Sequence, residues 1–435
     1  MKKYDLEPTD SIIEDTIKKN NVDNKNYIES IIGLLANIED NYVICVDGEW
    51  GSGKTFLVKQ LEYTLNHIKE MPDNEFQILK DVRELAEKIN DNNIVFYYNA
   101  WANDEHIDPL QSIIFSVLNE YDKYKNNITN DITSEAIVKG IGKTLVSILS
   151  QGLLNIDINT EVLDEITTFE DLVTDVNTYE ERKANFRKLL DTILKEKRMI
   201  LIIDELDRCN PAFATKLLEV IKHFYDYKKI TVIVVANNKQ LQHTIKQQYG
   251  IGFDAYAYLD KFYDFVITID NNRSIQYTKD FLDFEDTGYI YCQTFFAMIS
   301  KYGMTLRECN KYKVLYDSAK SLIEAINKNG GFISKSERDL LYSVILPIIY
   351  AFKIKDINAY NNCLNKRTDD LKEAVEYLQN FFASNEEGSW LKEIIGLSAN
   401  SDERLVCSKI VEVFERVMKK DNFNKTFLSA IRCSL

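Results

Sequence analysis

The sequence predicts an α/β fold, a parallel sheet with helices on both faces, carrying a helical insertion and a helical C-terminal region. Three observations predict it. Five short apolar runs, rich in β-branched residues, alternate with helical stretches. Only five prolines and fifteen glycines stand in 435 residues, so few positions can break a helix. A 45% hydrophobic share with 11% aromatics supplies at least one large core.

Residues 1–40 read as a helical lead-in, with Ile28, Ile31, Ile32, Leu34 and Leu35 on a helical period. Tyr42–Asp47 is the first strand and runs into a glycine cluster. Leu57, Leu61 and Leu65 then fall four apart, the mark of a helix with one buried face. Further strands are expected at Ile94–Asn99, Met199–Ile203, Ile230–Ala236 and Phe265–Ile269. About 100 residues separate the second strand from the third, far more than a simple crossover needs, so a helical insertion is expected at about 105–195. Within it, Ala136–Ile156 is apolar but interrupted by Lys139, Lys143 and Gln151. It reads either as a membrane-surface or partner helix or as a helix packed on the domain. The expected organisation is a lead-in at 1–40, a core at 41–271 and a helical domain at 272–435, with polar joints at Asn329–Gly331 and Asn385–Gly388.

Charge and cysteine content weigh against several classes. A net charge of −15 repels nucleic acid and anionic lipid on average. Seven cysteines lack any C-x-x-C pair, and only four histidines are present, which argues against a zinc site or a disulfide framework. Reduced, buried thiols suit a cytoplasmic protein. The first sixteen residues lack an apolar signal region. No uncharged run reaches the ~20 apolar residues of a spanning helix.

The chemistry gathers in two motifs. Gly48-Glu49-Trp50-Gly51-Ser52-Gly53-Lys54-Thr55 fits G-x-x-x-x-G-K-[ST], between a strand and a helix. Its glycines let backbone N–H groups turn around phosphate oxygens. Lys54 is expected on the β- and γ-phosphates, and the Thr55 hydroxyl on Mg2+. Ile200-Leu201-Ile202-Ile203-Asp204-Glu205 is a buried strand ending in an acidic pair. Asp204 is assigned to the magnesium shell and Glu205 to polarising the attacking water. A glutamate there implies the additional-strand (ASCE) type of P-loop NTPase, and Ile230–Ala236 fits the inserted strand. Asn237, at its end, either senses the γ-phosphate or orients water, or else caps the next segment. Asn238-Lys239-Gln240-Leu241 lacks the carboxylate of a guanine motif, so ATP is the expected nucleotide.

These residues resemble the KAP P-loop NTPases. The form Gly48-Glu49-Trp50-Gly51-Ser52-Gly53-Lys54-Thr55 is theirs. Asn99-Ala100-Trp101 with Asp108-Pro109-Leu110, Asp204-Glu205-Leu206-Asp207-Arg208-Cys209-Asn210-Pro211 and Tyr258-Leu259-Asp260-Lys261 are similar to further family segments, in the family's order. The resemblance covers residues 30–270 or so. It implies an ATPase, often membrane-associated through inserted helices, whereas this insertion lacks spanning segments and looks like that of soluble, PifA-like bacterial members, several tied to anti-phage defence. Asp207-Arg208 either shapes the site, offers an arginine to a neighbouring subunit, or forms a salt bridge that holds the acidic loop. Arg307, in Thr305-Leu306-Arg307-Glu308, is either a γ-phosphate contact, as in related ATPases, or a solvated helix charge. The leading expectation is a regulated ATPase switch in which a homo-oligomer or partner protein engages the helical C-terminal region. A nucleic-acid-remodelling ATPase and a nucleotide-gated scaffold with little turnover are the alternatives.

Overall fold

The computed structural model describes residues 7–19, 24–37, 40–72, 81–105, 194–224, 227–270, 274–281, 289–328, 334–383 and 403–419, with scattered positions in 108–117 and 187–191. Most of the expected insertion, all of Ala136–Ile156, and both polar joints lie outside the described residues.

The chain divides into two compact units. One, the sheet unit, comprises Lys25–Gly48 and Lys54–Thr268. The other, the helical unit, comprises Met1–Asn24, Glu49–Gly53 and Ile269–Leu435. In chain order the first half holds α1 (Asp10–Lys19), α2 (Lys25–Ala36), β1 (Val43–Asp47), α3 (Lys54–His67), α4 (Arg83–Asn92), β2 (Asn93–Asn99) and β3 (Arg198–Asp204). Then follow α5 (Pro211–Phe224), β4 (Ile230–Ala236), α6 (Asn238–Tyr249), α7 (Ala255–Asp260) and β5 (Phe265–Thr268).

In the sheet unit the strand order is β2-β3-β4-β1-β5, and every pairing is parallel. β4 therefore stands between β1 and β3, in the inserted position its sequence suggested. The five strands match the five expected runs to within a residue or two at each end. Strands β1, β3 and β4 are nearly continuous apolar runs because both sheet faces are covered. On one face Leu217 and Ile221 of α5 and Leu241 and Ile245 of α6 join a core with Leu201, Ile203, Val232 and Val234. Helix α3 packs on β2 and β4. It buries Phe56, Val58, Gln60 and Thr64 as well as the expected Leu57, Leu61 and Leu65, a broader face than the four-residue spacing suggested. Helix α2 buries Ile28, Ile31, Ile32 and Leu35, while Leu34 is only partly covered. Strand β5 is an edge, with Phe265 and Val266 exposed.

Register decides which residues meet. Asn99 lies opposite Asp204, and Asp47 opposite Ala236. The carboxyl ends of the strands are thus level, which is where open α/β sheets bind ligands.

The helical unit continues with α8 (Ser274–Phe281), α9 (Tyr289–Tyr302), α10 (Leu306–Lys328), α11 (Lys335–Leu340), α12 (Leu346–Lys355), α13 (Ile357–Leu364), α14 (Asp369–Ala383) and α15 (Glu403–Lys419). No strand occurs among its described residues, and the expectation from the sequence is a helical domain at 272–435. Its core is aromatic: Phe295 stacks on Tyr312 with centroids 3.8 Å apart, and the Tyr312 hydroxyl donates to the Pro347 carbonyl. Pro347 has no N–H for the helical ladder, and the backbone widens into a π turn over Leu341–Ile345 just before it.

Candidate functional site

Strand β1 delivers Asp47 to the carboxyl edge, and the next N–H, that of Gly48, donates to the Ala236 carbonyl at 3.3 Å. The root of the loop is thereby pinned to β4. Gly51 and Gly53 adopt φ of +83° and +87°, a region that only glycine enters at little cost. Ser52 N–H donates to the Glu49 carbonyl at 3.2 Å, closing a turn, and Trp50 is exposed on it.

Helix α3 begins at Lys54, so its N-terminal amides open onto the loop. The Lys54 Nζ is buried and donates to the Gly48 carbonyl at 2.6 Å. Burial pulls this ammonium below its ordinary range, while Asp207, Asp204 and Asp47 pull it back. A buried cation of this kind is stabilised by an anionic ligand, as a phosphate would be.

Within the helical unit, Gly51 meets the segment that holds Arg307. Arg307 N–H donates to the Gly51 carbonyl at 3.2 Å, and a Cβ at Gly51 would lie 2.7 Å from the Arg307 Cβ. The start of α10 is held there by Thr305, whose N–H and hydroxyl donate to Glu308, which in turn pairs with Lys355 at 2.9 Å. Arg307 is exposed as a whole, and its backbone N–H is what bonds to the loop.

The acidic pair lies in the sheet unit. Asp204 is 1% exposed at the end of β3. Its Oδ1 accepts from the Glu205 N–H at 2.8 Å and its Oδ2 from the Tyr97 hydroxyl at 2.9 Å. The Thr55 hydroxyl also bonds to it. Burial pushes the Asp204 carboxyl above the usual carboxylate range, and the bonds from Thr55, Tyr97 and Glu205 oppose that. Tyr97 is itself backed by Lys59, whose Nζ sits 3.2 Å from the ring centroid.

Glu205 leaves the strand with φ 60° and ψ 28°, a left-handed conformation that costs a non-glycine residue on the order of 1–2 kcal/mol. Its Oε1 pairs with the Arg208 guanidinium at 2.9 Å, and its Oε2 accepts from Asn99 Nδ2 at 3.2 Å. Of the roles open to Arg208, the geometry is that of a salt bridge within the acidic loop. Asn99 Oδ1 accepts from the Ala102 N–H at 2.9 Å, which orients the amide. Arg208 stacks over Trp101, 5.4 Å from its centroid.

Asn237 is buried, and its side chain accepts from the Gln240 N–H at 3.3 Å, capping α6. That is the alternative to a γ-phosphate contact that its position left open. Asn238, the start of the incomplete guanine-like motif, bonds through its N–H to Asp47 Oδ1 at 2.8 Å.

Thr55 and Asp204 fit a magnesium ion. Such an ion takes one or two protein oxygens and completes its shell with phosphates and water. Among the described residues no group of three or more His, Cys, Asp or Glu could hold a metal ion by itself. Two residues of this neighbourhood, Tyr97 and Asn99 as the partner of Glu205, were not assigned from sequence. Both stand on β2 beside the acidic strand, and only the register reveals it.

The family model described as KAP family P-loop domain matches residues 24–286. No curated protein matches the chain. Among the described residues no helix is long and apolar enough to cross a membrane.

Proposed function

This chain belongs to the KAP family of P-loop NTPases, and from that premise we propose that it binds ATP with magnesium and hydrolyses it as a regulated switch. The observation that carries this reading is the bond between Thr55 and Asp204, with Glu205 next along the chain. In this reading Lys54 and the loop from Gly48 to Gly53 hold the phosphates. Thr55 and Asp204 hold magnesium, which when bound supplies charge neutralisation at the phosphates. Glu205 takes a proton from the attacking water, the usual work of a carboxylate beside a metal-binding one. Asn237 stands at the end of β4, where an amide can orient that water. The contact between Gly51 and Arg307 supports a switch, since a change in the loop would be felt at the start of α10. A setting in anti-phage defence follows from the family resemblance alone.

A nucleotide-gated scaffold with little turnover is the second reading. It is favoured by one observation, that both Glu205 carboxylate oxygens already hold donors. Calorimetry with ATP and GTP, alongside phosphate release with magnesium present, separates the two. Preferential ATP binding with steady phosphate release supports the ATPase. Tight binding without release supports the scaffold, and no binding of either nucleotide overturns both.

A further inference from the structure

Helix α3, which opens at the phosphate loop, reaches Asp204 by two routes. Thr55 bonds to the carboxylate directly. Lys59, one turn farther on and so on the same face of α3, lies with its Nζ 3.2 Å from the centre of the Tyr97 ring. The Tyr97 hydroxyl in turn donates to Asp204 Oδ2 at 2.9 Å. Register makes this second route possible. Tyr97 stands opposite Ile202, two residues before Asp204, so the side chains of Tyr97 and Asp204 share one sheet face.

Lys59 is steadied by Glu62 at 2.8 Å, and both side chains are largely covered. A cation over an aromatic face is attracted by the ring's electron density, more strongly as water is excluded. The ring is thus held from α3, which fixes the direction of its hydroxyl. The other carboxylate oxygen, Asp204 Oδ1, accepts from the Glu205 N–H at 2.8 Å. Each oxygen therefore has a protein donor, and the group cannot turn without breaking one of these bonds. Magnesium takes few protein oxygens in near-ideal octahedral geometry, whereas calcium takes more and draws on flexible, often bidentate carboxylates. A carboxylate held at both oxygens suits the first ion and resists the second.

We propose that Tyr97, backed by Lys59, is a positioning residue that fixes the Asp204 carboxylate and thereby sets a preference of the site for magnesium over calcium. This rests on the reading of Thr55 and Asp204 as the protein partners of the metal. It adds the residues that give that pair its selectivity, and their action runs through Asp204.

Calorimetric ATP binding tests this, with magnesium and separately with calcium, in the full chain and in Tyr97→Phe, Lys59→Met and Lys59→Arg. The quantity read is the ratio of the two affinities, compared between variants so that the ions' own affinities for free ATP cancel. Tyr97→Phe keeps the ring and loses the donor, so the magnesium-to-calcium ratio should fall by about fivefold, the size expected of one neutral hydrogen bond. Lys59→Met keeps length and loses charge, and should lower the ratio by about two- to threefold. Lys59→Arg keeps a cation for the ring and should stay near wild type. Circular dichroism checks each fold, and Lys59→Met leaves the buried hydroxyl in place should Tyr97→Phe fail to fold. An unchanged ratio in a folded variant, even where both affinities fall, overturns that residue's role, while the magnesium-ATP reading stands on the wild-type response. A wild type that binds ATP equally well with either ion overturns the selectivity and leaves nucleotide binding intact. A wild type that binds no ATP with either ion overturns the reading of the site and the proposal together.

Discussion

The two flanks of the acidic turn make opposite use of neighbouring carboxylates. On one flank Asp204 is buried and held by the neutral hydroxyls of Thr55 and Tyr97, with the Lys54 ammonium near enough to act on it. On the other, Glu205 is bound by a guanidinium and an amide and sits in a strained backbone conformation. Burying a carboxylate is costly, and a further cation supplied from outside would offset that cost. A carboxylate already paired to a guanidinium and an amide has its orientation fixed by those neighbours. The difference teaches that adjacent acidic residues gain separate roles from their neighbours rather than from their own chemistry.

Several substitutions break or sharpen this contrast. The largest effect is expected on the Glu205 flank. Glu205→Gln keeps shape and hydrogen bonding and loses the base, so steady-state phosphate release should fall by about 10²–10⁴-fold. Turnover per bound ATP left intact in that variant would move the base elsewhere, with Asp207 the next residue to examine. Lys54→Ala removes charge-assisted bonds of about 1.5–3 kcal/mol to phosphate, so calorimetric ATP affinity should drop by at least ~10-fold. The fold should survive, since the Lys54 Nζ bonds to a loop carbonyl rather than to the core, and circular dichroism checks this.

Gly51→Ala introduces a side chain at φ +83° and 2.7 Å from the Arg307 Cβ. Stability in chemical denaturation should fall by about 1–2 kcal/mol or more. Gly33→Ala, inside α2 and with open space around it, should instead leave stability unchanged or raise it by about 0.5–1 kcal/mol. A comparably small effect is expected from Tyr97→Phe, which removes one neutral donor from Asp204. ATP affinity in magnesium should shift by about fivefold or less, in line with the ~1 kcal/mol of such a bond.

Much of the sheet unit was legible in the sequence because its information is local. A seven-residue run, apolar but for Thr231, marks β4 with its observed bounds, and the glycine spacing before Lys54 marks a loop whose Gly51 and Gly53 do take positive φ. What was not legible depends on register. Asn99 meets Glu205, and Tyr97 meets Asp204, only because β2 and β3 pair with Asn99 opposite Asp204. Nothing in a single strand specifies that alignment. Asn237 shows the converse, because an asparagine just before a helix satisfies the cap whatever else it does. The contact of Arg307 with Gly51 joins positions over 250 residues apart in the chain, and no periodicity carries such a pairing.

The account's central claim is the division of labour between Asp204 and Glu205, and the magnesium dependence of ATP affinity tests it most directly. ATP is titrated by calorimetry into wild type, Asp204→Asn and Glu205→Gln, with magnesium and again after its removal by chelator. Wild type and Glu205→Gln should both lose affinity when magnesium is removed, by a similar factor. Asp204→Asn should bind ATP weakly in either condition and respond little to the chelator. A full magnesium response in Asp204→Asn, with the response lost in Glu205→Gln, would contradict the account by exchanging the two roles.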